Sequence, residues 1–108
     1  MWIVVAKYLV PKGYSAITVF PFVFLSNKDD VGNQVLIVHE SIHIRQQLEM
    51  LVLPFFLWYF AEYLIRLAKL RNHNSAYRGI SFEREAYSNE YNPMFLNQRV
   101  FWNFIKYI

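Results

Sequence analysis

The chain has 108 residues, room for one compact domain spanning 1–108 and too little for two. Its net charge of +3 is spread over lysines and arginines without a run, which excludes a polyanion footprint, so no nucleic-acid partner is expected. It holds no cysteine, which excludes disulfides, thiolate ligands and a thiol nucleophile and leaves imidazole and carboxylate to bind any metal.

In chain order, the first third reads as β. Trp2 to Val10 is apolar and β-branched, and Pro11-Lys12-Gly13 is a turn signal. Lys7 cuts the apolar run short and no basic stretch precedes it, so the segment does not form a signal peptide and a cytoplasmic location is expected. Ser15 to Leu25 is rich in Ile, Thr, Val and Phe, with Pro21 marking an edge strand or a break. Two or three short strands result, with a hairpin among them.

Four helices are expected to follow. The first covers Val35 to Leu53 and is broken by Pro54. A second runs from Phe55 to Leu70, where Glu62 and Arg66 stand at pairing distance, and Asn72 to Ser75 reads as a loop. A third runs from Ser81, as N-cap, to Tyr91. Asn92-Pro93 then opens a fourth that reaches Lys106. The class is therefore α+β. The expected core is Val35, Ile42, Leu48, Leu51, Phe55, Tyr59 and Leu64, covered by Phe82, Phe95, Phe101 and Phe104. Hydrophobic residues make up 56% of the chain, above the roughly 45–50% of ordinary soluble domains. The surplus points to an apolar surface for a lipid layer or for a second copy in a homo-oligomer. The longest apolar run, Leu51 to Ala61, is shorter than the ~20 residues of a spanning helix.

One constellation carries chemistry. His39-Glu40-Ser41-Ile42-His43 fits H-E-x-x-H inside the first helix. Residues at i and i+4 share a helical face, so two imidazoles can close on one metal ion. Glu40, beside the first histidine, can reach a water and act as general base. Two of only three histidines in the chain occupy this motif, in an apolar helix where burying them without partners is costly. A catalytic zinc usually takes a third protein ligand. Glu49 points away from the histidine face by helical rotation, and Glu62 is better used by Arg66. His73 lies in a polar stretch with no supporting spacing. Glu83 is the strongest candidate, since Glu83, Ala86, Tyr87 and Glu90 share one face and the small Ala86 allows close approach to the first helix. Glu85 faces nearly the opposite way.

H-E-x-x-H followed some forty residues later by E-x-x-A on a helix resembles the gluzincin zinc peptidases, and the short chain looks like their single-domain minimal members, the minigluzincins. The resemblance implies a zincin-like fold, a Zn2+ ion held by His39, His43 and Glu83, Glu40 as catalytic base, and a peptide or protein substrate. It departs at Tyr87, where gluzincins often carry an aspartate that orients a ligand histidine, so another partner is needed, from Glu90, Asn89 or a backbone carbonyl. Gln47 stands one turn beyond His43. Tyr77, Tyr87 and Arg99 are open candidates for stabilising an oxyanion. An edge strand within Ser15 to Leu25 could pair with an extended substrate. A terminal segment after Arg99 could lie in the cleft and keep it latent. The alternatives are a non-catalytic metal-binding module, or a membrane-associated interaction protein that uses the apolar Leu51 to Ala61 surface.

Overall fold

Strand β1 (Trp2–Val5) lies parallel to β3 (Phe22–Leu25), which pairs antiparallel with β2 (Ala16–Val19), giving the sheet order β1-β3-β2. The computed structural model describes all residues, 1–108. Pro21 has no N–H to give to a ladder and sits in the turn between β2 and β3, after a cis peptide bond. It is thus a break. Side-chain alternation sends Val23 and Leu25 of the central strand fully into the interior, while Phe22 and Phe24 stack on the other face. β2 is an edge strand and packs against the first helix.

That helix, α1 (Gln34–Met50), follows a 3-10 turn at Lys28–Gly32 and is capped by Asn33, whose side chain accepts the Leu36 N–H at 3.2 Å. It stops three residues short of the expected Leu53, because Leu51 turns to φ 66°. α2 (Val52–Leu70) restarts at once, bent 112° from α1. Pro54 therefore stands in the first turn of α2, where a missing N–H has no partner to lose, and marks a helix start.

Three further expectations are corrected. Asn72 to Ser75 is no loop: Asn72 accepts the Ser75 N–H and caps α3 (His73–Gly79). Ser81 does not cap α4 (Ser81–Asn89); its N–H and hydroxyl both go to the Glu62 carboxylate, which also takes the Trp58 indole N–H. Glu62 therefore does not pair with Arg66. The long fourth helix shrinks to α5 (Phe95–Gln98), an extended Arg99 and a 3-10 turn at Asn103–Tyr107. Helix is abandoned there because the Arg99 guanidinium is drawn inward to Glu49 and Glu85, both at 2.6 Å, and Trp102 adopts φ 59°.

The architecture is mixed α+β, a three-stranded sheet with five helices. Its principal apolar cluster is Met50, Phe55, Ile80, Phe82 and Phe104, with Phe82 centred 4.5 Å from Phe55 and 4.4 Å from Phe104. Leu48, Leu51, Leu64 and Phe101, expected inside, are exposed. On α2, Leu64 stands about 180° round from the buried Phe55 and so faces solvent. No single helix is long and apolar enough to cross a membrane.

Candidate metal centre

α1 presents His39, Glu40, His43, Gln46 and Gln47 on its buried side, and α4 presents Glu83 opposite. The two helices approach across Ala86, which is fully buried and has only a methyl to accommodate. This is the close approach expected of that face. His39, His43 and Glu83 are all buried, with one ligand atom from each within 4.8 Å of the others.

The triangle is tighter than that limit. His39 Nε2 to Glu83 Oε1 is 3.2 Å, His43 Nε2 to Glu83 Oε1 is 3.1 Å, and the two Nε2 atoms are 3.2 Å apart. A tetrahedral zinc with bonds of ~2.0–2.1 Å separates its ligand atoms by about 3.3 Å. The observed sides match that spacing on all three edges.

The far side of each ligand is also fixed. His39 Nδ1 donates to Glu90 Oε2 at 2.7 Å, and His43 Nδ1 donates to Gln46 Oε1 at 2.8 Å. The Gln46 amide cannot turn round, because its NH2 donates to the Phe82 carbonyl at 3.1 Å and to Glu85 Oε1 at 2.8 Å. Both rings therefore carry their hydrogen on Nδ1 and aim an Nε2 lone pair inward. The second oxygen of Glu83 accepts from the Tyr59 hydroxyl at 2.6 Å. Three electron-rich atoms thus converge in a buried space, which demands a cation or added protons. The electrostatics agree. Burial draws the His43 imidazole down, but the Glu83 charge outweighs it and pushes the group up to about 9. Burial raises Glu83, yet the imidazoles, His43 foremost, hold it well below the carboxylate range.

Glu40 is buried, and its Oε2 accepts from the Thr18 hydroxyl at 2.5 Å, which ties it to the edge strand. A cavity of about 400 Å³ opens beside it, walled by Ile17 of β2, by Phe55, Phe56, Tyr59, Phe60 and Tyr63 of α2, and by Tyr14 and Tyr77. A second hollow, more polar, reaches Glu40 from the side of His39 and Glu90. No residue beyond Glu90 lines either hollow. The segment after Arg99 packs on α4 instead, so it neither forms the walls nor blocks them.

Other residues named from sequence fall into place. Glu49 is not near the ligands; it takes Arg99 and the Trp102 N–H. Glu85 is fully buried and faces Arg99, Asn103 and Gln46. Arg99 is consumed by that cluster and offers nothing to an oxyanion. Tyr87 lies edge-on to His39, ring centres 4.5 Å apart, with the Arg78 guanidinium over its other face at 3.9 Å. Glu90, one turn after Tyr87, supplies the carboxylate that Tyr87 cannot. Gln47 does not touch His43; it accepts the Phe20 N–H at 2.6 Å and donates to the Thr18 carbonyl at 2.8 Å, tying β2 to α1. His73 stands apart from the metal cluster, its ring bridging the Tyr14 hydroxyl at 2.7 Å and the Tyr63 hydroxyl at 2.8 Å. Thr18 and Tyr59 carry no sequence signal of their role. Gln46 carries a weak one, as the amide three residues past a ligand histidine, on the same face. The chain matches no protein-family model, no curated protein and no solved structure.

Proposed function

We propose that this chain is a zinc-dependent peptidase of zincin-like, gluzincin type. The single observation that supports the reading most is the equilateral triangle of His39, His43 and Glu83 donor atoms, with an unliganded glutamate, Glu40, beside it. Two imidazoles and one carboxylate suit zinc better than calcium or magnesium, which prefer all-oxygen surroundings. A bound zinc ion supplies Lewis acidity towards a carbonyl oxygen and makes water a nucleophile near neutral pH. Glu40 takes the proton of the attacking water on the oxygen that Thr18 leaves free, and returns it to the departing amine. Tyr59 and Tyr77 remain protonated donors, raised by burial first and by Glu83 second. Tyr77 lines both hollows around Glu40 and is the better placed to donate to a developing oxyanion: its present partner is the neutral Tyr87, whereas Tyr59 is committed to the Glu83 carboxylate.

The substrate is an extended peptide. β2 is an edge strand that lies along the cavity; Gln47 already takes the Thr18 carbonyl and the Phe20 N–H, so the stretch before the Thr18 carbonyl is the part left for pairing. The aromatic walls of the cavity suit an apolar side chain next to the scissile bond. The test combines elemental analysis of the purified protein with hydrolysis of an unstructured fluorogenic peptide of apolar composition. Chelator-sensitive cleavage that Glu40→Gln abolishes while zinc stays bound is the expected result. Full activity in Glu40→Gln would refute the assignment of the base, and no zinc uptake by the wild type would refute the whole reading.

A further inference from the structure

One face of α2 is exposed and entirely apolar. Leu53, Pro54, Leu57, Phe60, Ala61, Leu64, Ile65 and Ala68 are all open to solvent, and the five large ones expose 48–69% of their surface. At about 100° per residue these positions fall within an arc of about 140°, with no charge among them. The opposite face is committed to protein: Phe55 is buried, and Trp58, Tyr59, Glu62 and Tyr63 are half-buried. The angular neighbours of the bare face on one side, Phe56 and Tyr63, line the cavity at Glu40, and Phe60 belongs to both. The apolar surface thus runs without interruption into the mouth of the cavity.

The charge distribution says what covers it. Glu40, Glu49, Glu62, Glu83, Glu85 and Glu90 are all occupied by hydrogen bonds to Thr18, Arg99, Ser81, Tyr59, Gln46 and His39 respectively. Only Asp29 and Asp30 remain as side-chain acids facing outward, against every lysine and arginine except the buried Arg99. The exposed charged side chains are therefore predominantly lysine and arginine. Lys69 and Arg71 stand at the C-terminal end of the bare face, both exposed. A basic body repels its own copy and is drawn to an anionic surface. Area argues the same way. A 19-residue helix is about 28 Å long and ~10 Å wide, a footprint of ~300 Å² against the ~800 Å² per partner of a standard stable interface.

We propose that α2 seats this protein in the headgroup layer of an anionic lipid bilayer, lying in the plane with Leu53, Leu57, Phe60 and Leu64 inserted. The mouth of the metal cleft then faces the lipid, and peptide segments at the bilayer surface reach it first. Docking itself does not depend on the metal reading; only this last consequence rests on it.

The experiment is flotation of the full chain with phosphatidylcholine vesicles, with and without phosphatidylglycerol, alongside sedimentation of the lipid-free protein. The wild type is expected to float with the anionic vesicles, less so at high salt. Leu53→Gln, Leu57→Gln and Leu64→Gln combined should weaken binding by about 100-fold. These side chains are exposed, so their replacement leaves the core intact. Lys69→Glu with Arg71→Glu should weaken binding to anionic vesicles only. Glu40→Gln should float like the wild type, which separates docking from catalysis. Equal flotation of the triple variant, or none by the wild type, overturns the proposal. So does a lipid-free dimer that the triple variant returns to a monomer, which would assign the face to a second copy.

Discussion

Glu90 offers a sharp test of the metal centre because it touches no ligand atom on the ion-facing side. Its carboxylate holds His39 Nδ1 at 2.7 Å, with 14% of the side chain exposed. A hydrogen bond to a charged group in such a place contributes about 1.5–3 kcal/mol. Part of that shows as the cost of letting the imidazole rotate away from Glu83 and His43. Removal of such an outer partner lowers metal affinity by roughly 10–100-fold, or about 1.4–2.7 kcal/mol. Glu90→Ala should fall near the upper end, since nothing replaces the acceptor. Glu90→Gln keeps an acceptor oxygen of the same reach and loses only the charge, so about 10-fold is expected. The measurement is competition of the apoprotein with a fluorescent zinc chelator. His39→Ala, which deletes one corner of the triangle, sets the scale and should be weaker than either. Wild-type affinity in Glu90→Ala would show that His39 orientation is set elsewhere. Wild-type affinity in His39→Ala as well would remove the triangle as a metal site.

Three further outcomes are expected. Arg99→Ala strands Glu85 and Glu49 in the interior, since the guanidinium is wholly enclosed; urea unfolding should show a loss of about 3–5 kcal/mol, and a loss under about 1 kcal/mol would mean that the cluster is wet. Thr18→Val frees Glu40 from its anchor without touching a ligand, so kcat should drop about 10-fold with zinc content unchanged; equal loss of zinc would place Thr18 in the binding of metal. In the metal-free protein His43 titrates at about 9 when folded against 6.5 when unfolded. Its contribution to stability is thus complete below pH 6.5 and disappears as pH rises through about 9. The thermal midpoint in chelator should fall across that interval, and a rising midpoint would contradict the pairing with Glu83.

The convergence of His39, His43 and Glu83 was legible because helical periodicity does most of the positioning. His39 and His43 share a face by spacing alone, and Glu83 was separable from Glu85 because the two point to opposite sides of α4. Of the supports, Glu90 behind His39 stood among the partners offered by the sequence; the rest were not legible. Tyr59 and Thr18 act through contacts between distant segments, and nothing local distinguishes the tyrosine of α2 that reaches Glu83 from the other seven in the chain. The misread boundaries share one cause. Ser81, Pro54 and Asn72 each carry a signal with two local meanings, and the tertiary partner chooses between them. Glu62 claims Ser81, so Ile80 takes the cap position; a left-handed Leu51 ends α1 before Pro54 can. The C-terminal segment kept a helical pattern but lost its helix to Arg99, whose burial with two glutamates outweighs the propensity of a few turns.

The inward Arg99 reaches further than its own cluster. It neutralises Glu85, Glu85 holds the Gln46 amide, and that amide fixes the tautomer of His43. The C-terminal tail is therefore a buttress for an imidazole that it never touches. Without that segment Glu85 loses its cation, and the Phe82 carbonyl alone is left as a firm acceptor for the Gln46 amide, so the hold on His43 loosens. A segment remote in sequence thus bears on how His43 presents its ring nitrogens, and removing the residues from Arg99 onward should loosen that orientation together with the fold.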